Sequence, residues 1–277
     1  MSQHKPVLII GGMGKTGKRV NKNLVEKGVE TRPVSRSTTP AFDWNDTNTW
    51  QACLEGVKSV YVTYQPDLAV PGADIAIKRL CEMALANDVK QIVLLSGRGE
   101  DGAIRAENEL KQSGLIWTIV RSSWFAQNFS EHDFKYGIAA GELALPVGNV
   151  PEPFIDIDDI ADIVVAALTE PGHENKLYEV TGPRAITFTE AVDEISKGIE
   201  KPVKFTEIST EQFKVDMDQA QVPDEMTNLM IELFTEVLDG RNSETTNGVE
   251  QALGRPARDF SDYVKNTNVL GVWTPVI

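Results

Sequence analysis

Three glycines at a regular spacing, Gly11, Gly14 and Gly17, follow a short apolar run and precede a helix-like segment. Glycines placed in this way after a buried strand direct backbone N–H groups at a pyrophosphate, and the positive end of the next helix favours an anion. Between the glycines lie three further candidate contacts, Met13, Lys15 and Thr16. A glycine triplet alone is a weak signal, because a chance turn can also use glycine. Its place at the start of an alternating strand and helix pattern favours a nucleotide site.

A basic residue stands where the second strand is expected to end. Arg36 follows the predicted strand Glu30–Ser35 and lies about 20 residues beyond the glycines, the separation typical of a dinucleotide fingerprint. An Asp or Glu at this position would accept hydrogen bonds from the adenosine ribose and indicate NAD(H). A guanidinium instead matches the 2′-phosphate of NADP(H) with two parallel hydrogen bonds. We therefore expect NADP(H) rather than NAD(H); the alternative is that Arg36 is a solvated surface residue.

Later strand ends add candidate cofactor contacts, because ligands bind at the carboxyl ends of strands in open α/β sheets. Asp43, in a short predicted strand over Ala41–Trp44, could bind the adenine edge. Three residues around the end of the predicted strand Ser59–Thr63 are expected along the ribose and the nicotinamide: Thr63, Tyr64 and Gln65. Ser96 ends the predicted strand Gln91–Ser96, where it could bind the cofactor or a substrate, or cap the strand end.

The segment after the predicted strand Trp117–Arg121 carries the candidate substrate contacts. Trp124 and Phe125 could stack on a flat aromatic acceptor, and Asn128 could orient a carbonyl group. The alternative is that the two aromatic residues pack in a core that joins two lobes, since large aromatic side chains dominate cores as well as binding sites.

These residues need a scaffold of alternating strands and helices. The predicted strands are Val7–Ile10, Glu30–Ser35, Ala41–Trp44, Ser59–Thr63, Gln91–Ser96 and Trp117–Arg121. The predicted helices between them are Lys15–Lys27, Thr47–Leu54, Ala73–Asn87 and Ala103–Ser113. This alternation predicts an α/β fold with a Rossmann-like, doubly wound parallel sheet, and we assign residues 1–121 to the cofactor-binding core.

Residues 122–277 are expected to form a smaller, mixed α/β substrate lobe with segments that return to the core. The stretch Gly141–Pro153 is rich in Gly and Pro and predicts a loop. The predicted elements are the helices Ile157–Leu168 and Phe188–Gly198 and the strands Lys176–Thr181 and Lys204–Ile208. Thr187 and Glu190 have the spacing of a capping box at the start of the second helix. Beyond Thr210 the pattern is mostly helical.

The charge balance restricts the partners. The chain has 27 Lys and Arg against 41 Asp and Glu, which gives a net charge of −14. Such a protein repels nucleic acid and anionic membrane, so we expect a small-molecule substrate and no direct nucleic-acid or membrane partner. We find no basic segment followed by an apolar one at the start of the chain, and no apolar run long enough to cross a bilayer. A cytoplasmic location is the resulting expectation.

No metal site is expected. Cys53 and Cys81 lie far apart in the sequence, lack a metal-ligand spacing and are not expected to form a disulfide. The three histidines form no ligand pattern either: His4, His132 and His173. An acidic cluster accompanies the start of the helix Ile157–Leu168: Asp156, Asp158 and Asp159. Acidic residues in a first helical turn stabilise the helix dipole, and we favour that interpretation because no His or Cys ligand accompanies them.

Several segments together resemble the NmrA-like branch of the atypical short-chain dehydrogenase/reductases. They are IIGGMGKTG, VSR, IVLLSG, ENELKQSGLIWTIVRSSWFAQNF, PFIDIDDIADIVVAALTEPGHENKLYEVTGPRAITFTEAV and LDGRNSETTNGVEQALGRPARDFSDYV. Gly12 and Met13 replace the Ala and Thr that are commoner in the family, but the three spaced glycines remain. The resemblance covers most of the chain. It implies an NAD(P)H-dependent quinone or azo reductase, a reductase related to ergot-alkaloid dehydrogenases, or a redox sensor that binds the dinucleotide without turnover.

The usual proton donor of short-chain dehydrogenases is absent from this sequence. That donor is a Tyr four residues before a Lys, and none of the five tyrosines has this spacing: Tyr61, Tyr64, Tyr136, Tyr178 and Tyr263. If the segment beginning at Glu107 aligns with the family, the Tyr and Lys positions fall on Gly99 and Ala103. Two hypotheses fit. In one, the protein reduces a planar electrophile that needs chiefly proximity to the nicotinamide. In the other, it is a non-catalytic NADP(H) sensor that acts through a protein partner.

Overall fold

The computed structural model of the protein describes residues 5–131 and 133–274. The chain divides into two compact units, each assembled from segments that are distant in sequence. The first unit comprises the residues up to Ser122 together with Ile157–Val180 and Asn247–Pro256. The second unit comprises Ser123–Asp156, Thr181–Thr246 and the residues from Ala257 onward. The assignment of a cofactor role to residues 1–121 and a substrate role to residues 122–277 stays a prediction.

We number the elements along the chain. The strands are β1 (Val7–Ile10), β2 (Thr31–Val34), β3 (Ser59–Val62), β4 (Gln91–Gly97), β5 (Ile116–Ser122), β6 (Glu142–Leu145), β7 (Lys176–Val180) and β8 (Lys204–Glu207). The α-helices are α1 (Lys15–Glu26), α2 (Trp50–Leu54), α3 (Ala73–Ala86), α4 (Asp101–Lys111), α5 (Asn128–Glu131), α6 (Phe134–Ala140), α7 (Ile157–Thr169), α8 (Phe188–Gly198), α9 (Thr210–Gln219), α10 (Asp224–Glu232), α11 (Gly248–Leu253) and α12 (Phe260–Val269). No helix among the described residues combines the length and apolar composition needed to cross a membrane.

Within the described residues, the sheet of the first unit has six parallel strands in the order β2-β1-β3-β4-β5-β7. The chain moves outward from β1 to β2 and then returns to the other side of β1 with β3. This reversal creates the topological switch point at which open α/β sheets bind ligands, outside the carboxyl ends of the strands. The predicted α/β, Rossmann-like class with a doubly wound parallel sheet is confirmed.

Local sequence explains the elements that form the switch point. The run VLII of β1 is buried along its whole length, as expected for a central parallel strand. The helix α1 buries Val20 and Leu24, which lie four residues apart on one face. It ends before Gly28, which has a positive φ of 76° that glycine tolerates at a helix C-terminus. Strand and helix are therefore held rigidly on either side of the glycine turn.

The second unit has its own core, built from aromatic residues. The ring centroids of Phe154 and Phe188 lie 5.1 Å apart, and those of Phe129 and Phe154 lie 5.3 Å apart. The predicted capping box of α8 is confirmed: the backbone N–H of Glu190 donates to Thr187 Oγ1 at 3.1 Å, and the N–H of Thr187 donates to Glu190 Oε2 at 2.8 Å. Both contacts fix the start of a helix that buries Phe188 in this core.

Two predicted elements are wrong. Ala41–Trp44 does not form a strand, and Asp43 makes only an isolated bridge to Asp46. The carbonyl of Asp43 accepts hydrogen bonds from the N–H of Asp46 at 3.2 Å and from Trp50 Nε1 at 2.7 Å, and not from a neighbouring strand. Gly141–Pro153 is not a loop throughout, since it contains β6, which pairs in parallel with β8. The partner of β6 lies some sixty residues away in sequence, so no local pattern indicated the pairing.

Candidate dinucleotide-binding site

The glycine turn brings the start of α1 against the end of β1. Gly11 has a φ of 77°, in the left-handed region, and its carbonyl accepts a hydrogen bond from the N–H of Gly14 at 2.9 Å. A Cβ atom on Gly17 would lie 2.8 Å from the carbonyl carbon of Gly11 and closer still to its oxygen. No side chain caps α1 at Gly14. The turn therefore has the close approach of backbone to helix start that is typical of a pyrophosphate site.

The three other residues of the turn differ in exposure. Met13 is 65% exposed, Lys15 is half-buried and Thr16 is buried. The carbonyl of Lys15 accepts a hydrogen bond from Arg19 Nη1 at 2.9 Å, and Arg19 Nε donates to Asp158 at 2.7 Å. Arg19 thus connects the first turn of α1 to α7 through its ion pair with Asp158.

Thr63 links the end of β3 to the turn. Its hydroxyl donates to the carbonyl of Ile10 at 3.1 Å, and its side chain occupies the space beside Gly11 that a Cβ there would require. Its own carbonyl accepts a hydrogen bond from Trp44 Nε1 at 3.2 Å. The structure therefore brings together two predicted site residues, Gly11 and Thr63, and adds Trp44, which sequence reasoning did not select.

Two aromatic side chains in contact with each other, Trp44 and Tyr64, lie next to Thr63. The rings of Trp44 and Tyr64 have centroids 4.5 Å apart, and both residues are half-buried. Asp43 directs its carboxylate at the N–H of Asn45, at 3.0 Å. Gln65 is exposed. Contact of these residues with an adenine or a ribose stays a prediction.

Arg36 lies in the turn directly after β2 and is exposed. In residues 5–131 and 133–274, no carboxylate forms an ion pair with it. The hydroxyls of Ser35 and Ser37 flank Arg36 in sequence and lie 3.0 Å from each other. An exposed guanidinium that forms no ion pair within the described residues, beside two hydroxyl groups, has the chemistry to bind a phosphate group.

Ser96 is held within a buried polar network. Only 3% of the residue is exposed, and its hydroxyl donates to Glu107 Oε1 at 2.8 Å. The guanidinium of Arg121 donates to both oxygens of Glu107, at 2.9 Å and 2.6 Å, and Lys111 Nζ donates at 3.1 Å. Burial alone would raise the pKa of the Glu107 carboxyl, but the hydrogen bonds from Arg121 and Ser96 outweigh burial and lower the pKa below its ordinary value.

The network extends along the carboxyl edge of the sheet. Glu179 on β7 accepts hydrogen bonds from Arg98 Nε at 2.8 Å and from Arg121 Nη1 at 3.3 Å. Sequence reasoning selected Ser96 but missed Glu107, its direct partner. The available signal was a Glu on the apolar face of a helix, between the buried residues Ala103 and Leu110.

The candidate substrate residues belong to the second unit. Trp124 packs against Phe188 and Phe234, with ring centroids 5.9 Å and 5.3 Å away, and its backbone N–H donates to Glu152 at 3.1 Å. Phe125 and Asn128 are half-buried. Trp124 therefore packs against the core of the second unit. A contact of Trp124, Phe125 or Asn128 with substrate stays a prediction, as does a core that joins two lobes.

The acidic cluster has protein partners. Asp158 and Asp159 lie in the first turn of α7, as predicted, and Asp159 is fully buried against Arg255 Nη1 at 2.7 Å. Asp156 accepts a hydrogen bond from Gln127 at 2.7 Å. Nowhere in the described part of the chain do three His, Cys, Asp or Glu side chains form a possible metal site. Cys53 and Cys81 are free and buried; His4 and His132 lie outside the described residues.

Solved structures share this fold. A crystal structure of the NADPH-dependent quinone oxidoreductase from Escherichia coli in complex with NADPH superposes with a TM-score of 0.79 at 20% identity, covering 94% of this chain and 99% of that one. The Citrobacter sp. triphenylmethane reductase in complex with NADP(H) gives 0.75 at 19% identity, covering 95% and 99%. At such identities the likeness establishes the fold.

Sequence relatives extend over nearly the whole chain. The NAD(P)H azoreductase of Xenophilus azovorans is 30% identical, with 94% of this chain and 96% of that protein covered. The prestalk A differentiation protein A of Dictyostelium discoideum is 29% identical, with 94% and 92% covered. The model of the NmrA-like family matches residues 41–269. The chain therefore belongs to the NmrA-like family.

Proposed function

We propose that this protein is an NADP(H)-dependent oxidoreductase that transfers hydride to a small planar electrophile of the quinone, azo or imine type. The observation that carries the proposal is the close approach of α1 to β1, where no side chain fits at Gly17. The names of the azoreductase and of the quinone oxidoreductase support the same assignment.

In this proposal, different residues of the first unit bind different parts of NADP(H). The backbone of the glycine turn would hold the pyrophosphate, and Arg36 would select the 2′-phosphate by charge and geometry. Thr63 and Tyr64, at the end of β3, would lie along the ribose. NADPH, when bound, supplies the hydride.

Proton donation does not use a Tyr and Lys pair in this proposal. If the segment beginning at Glu107 aligns with the family, the positions of that pair fall on Gly99, which has a φ of 80°, and on Ala103, which is buried in α4. Burial raises the phenol pKa in four tyrosines: Tyr61, Tyr64, Tyr178 and Tyr263. A raised pKa is the opposite of what a Tyr activated by a neighbouring Lys shows. Acceptors that are already electrophilic fit this site best, because they need mainly orientation.

The test uses the full chain with NADPH and a panel consisting of a quinone, an azo dye and a cyclic imine. The absorbance of the reduced nicotinamide is followed for each acceptor. We expect turnover with at least one acceptor, and loss of that turnover in Gly17→Ala, which fills the turn. Tight binding of NADPH without turnover of any acceptor would contradict the reductase and favour a sensor that acts through a protein partner. Absence of NADPH binding would contradict both.

A further inference from the structure

The Glu107 carboxylate accepts hydrogen bonds from three different side chains. Four donor atoms converge on its two oxygens: Ser96 Oγ, Arg121 Nε, Arg121 Nη2 and Lys111 Nζ. Glu107 is fully buried, whereas Lys111 and Arg121 are partly exposed. Two cationic partners keep the carboxylate ionised, and an ionised carboxylate can only accept hydrogen bonds.

The proton of Ser96 is committed by this arrangement. A serine hydroxyl has one proton and two lone pairs. Because Glu107 accepts at 2.8 Å, the single proton of Ser96 points toward Glu107. Only the lone pairs remain for another group. Ser96 can therefore accept a hydrogen bond from a ligand but has no proton with which to polarise a substrate oxygen.

Ser96 also lies at a suitable distance across the sheet. Ser96 lies on β4, which is separated from β1 by one strand, β3. At the usual spacing between neighbouring strands, the axes of β1 and β4 are about 10 Å apart. A dinucleotide with its pyrophosphate at the end of β1 would extend its nicotinamide half across the carboxyl ends of β3 and β4. The group of that half which donates an N–H is the carboxamide.

We propose that Ser96 accepts a hydrogen bond from the nicotinamide carboxamide, and that Glu107 is a positioning residue that fixes Ser96 as an acceptor. The inference rests on the proposed binding of NADP(H). It assigns Ser96 to cofactor recognition and not to activation of the electron acceptor.

The first test compares binding of NADP⁺ with binding of its acetylpyridine analogue, in which a methyl group replaces the amide nitrogen. We expect the native protein to bind NADP⁺ about 5- to 10-fold more tightly, the effect of one net hydrogen bond. Ser96→Ala should lower the affinity for NADP⁺ to that of the analogue and leave the affinity for the analogue unchanged. An adenosine bisphosphate that lacks the nicotinamide half should bind both proteins equally.

The second test addresses Glu107. A glutamine there presents an amide N–H₂ that can donate to Ser96, so Glu107→Gln should reduce the preference for the carboxamide about as much as Ser96→Ala. The matched control is Glu109→Gln on the same helix, since Glu109 is partly exposed and lies 3.6 Å from Lys78. This control should keep the native preference. If Glu107→Gln does not fold, the result with Ser96→Ala decides.

Three results would overturn the inference. One is equal binding of NADP⁺ and the analogue by the native protein. Another is a Ser96→Ala variant that loses the same factor for both ligands. A third is a Ser96→Ala variant that binds both ligands normally but loses turnover of a quinone, which would make Ser96 a donor to the substrate. Absence of binding of any dinucleotide would instead remove the proposed function, and this inference with it.

Discussion

The carbonyl group of Gly11 occupies the space that a side chain on Gly17 would need. A Cβ on Gly17 would lie 2.8 Å from the Gly11 carbonyl carbon, well inside van der Waals contact. Both residues belong to backbone that is fixed, one at the end of a buried strand and the other in the first turn of a helix. This contact explains why the turn needs glycine at its last position.

Substitution of Gly17 tests that relationship. Gly17→Ala should lower the free energy of unfolding by about 1–3 kcal/mol, because the backbone must move to admit the methyl group, and NADPH binding should be lost. Gly14→Ala is the graded control, since a Cβ there would lie 3.2 Å from the Gly11 oxygen and needs only a small adjustment. Thermal unfolding and fluorescence titration measure the two effects. Equal stability of the two variants would contradict the account.

Trp124 should behave first as a packing residue. Trp124→Ala removes contacts with Phe188 and Phe234, and we expect a loss of about 2–3 kcal/mol in unfolding free energy, since the residue is only half-buried. Trp124→Phe keeps an aromatic ring and should recover most of that loss. Chemical denaturation of the three proteins provides the measurement. A Trp124→Ala variant with native stability and lost turnover would show instead that the ring serves the substrate.

The ion pair of Arg184 with Asp259 predicts a pH dependence of stability. Arg184 donates to both oxygens of Asp259, at 2.8 Å and 2.9 Å, and these hydrogen bonds lower the pKa of Asp259 below its ordinary value of 3.8. A lowered folded-state pKa contributes stability that is present above the unfolded-state value and is lost as the pH falls through the folded-state value. The stabilisation should therefore be complete at neutral pH and should disappear in strong acid.

Asp259→Asn isolates this effect, because asparagine can still cap α12 through the N–H of Ser261. We expect a loss of roughly 1 kcal/mol at neutral pH, a modest value since water screens the partly exposed pair. The difference from the native protein should vanish in strong acid. Asp262→Asn, at an exposed pair with Lys265, should change little. Unfolding curves recorded from neutral pH to strong acid provide the measurement. Equal unfolding free energies of the two variants at neutral pH would contradict the account.

The sequence was most informative where structure depends on neighbouring residues. The strand Val7–Ile10 and the helix Phe188–Gly198 were predicted to the residue, because an apolar run and a capping box are local signals. The glycine turn was found for the same reason, since its geometry follows from the types of a few adjacent residues.

Contacts between distant segments were not predictable. The segment around Asp43 is organised by the side chains of Trp44 and Trp50, whose ring centroids lie 5.5 Å apart, and not by pairing of strands. The partner of Ser96 comes from a helix eleven residues later, and Arg121 joins it from the next strand. A single sequence contains each of these residues but does not state which of them meet.

The most direct test of the central claim, that this protein binds NADP(H) through Arg36, is to measure its preference for NADPH over NADH. Fluorescence titration should show the native protein binding NADPH at least about 10-fold more tightly than NADH, since only NADPH carries the 2′-phosphate that the guanidinium would bind. Arg36→Lys keeps the charge but lacks the paired N–H donors, so its preference for NADPH over NADH should be weaker than that of the native protein but not abolished. Arg36→Glu should reverse the preference. Equal affinities in the native protein, or an unchanged preference in Arg36→Glu, would contradict the account.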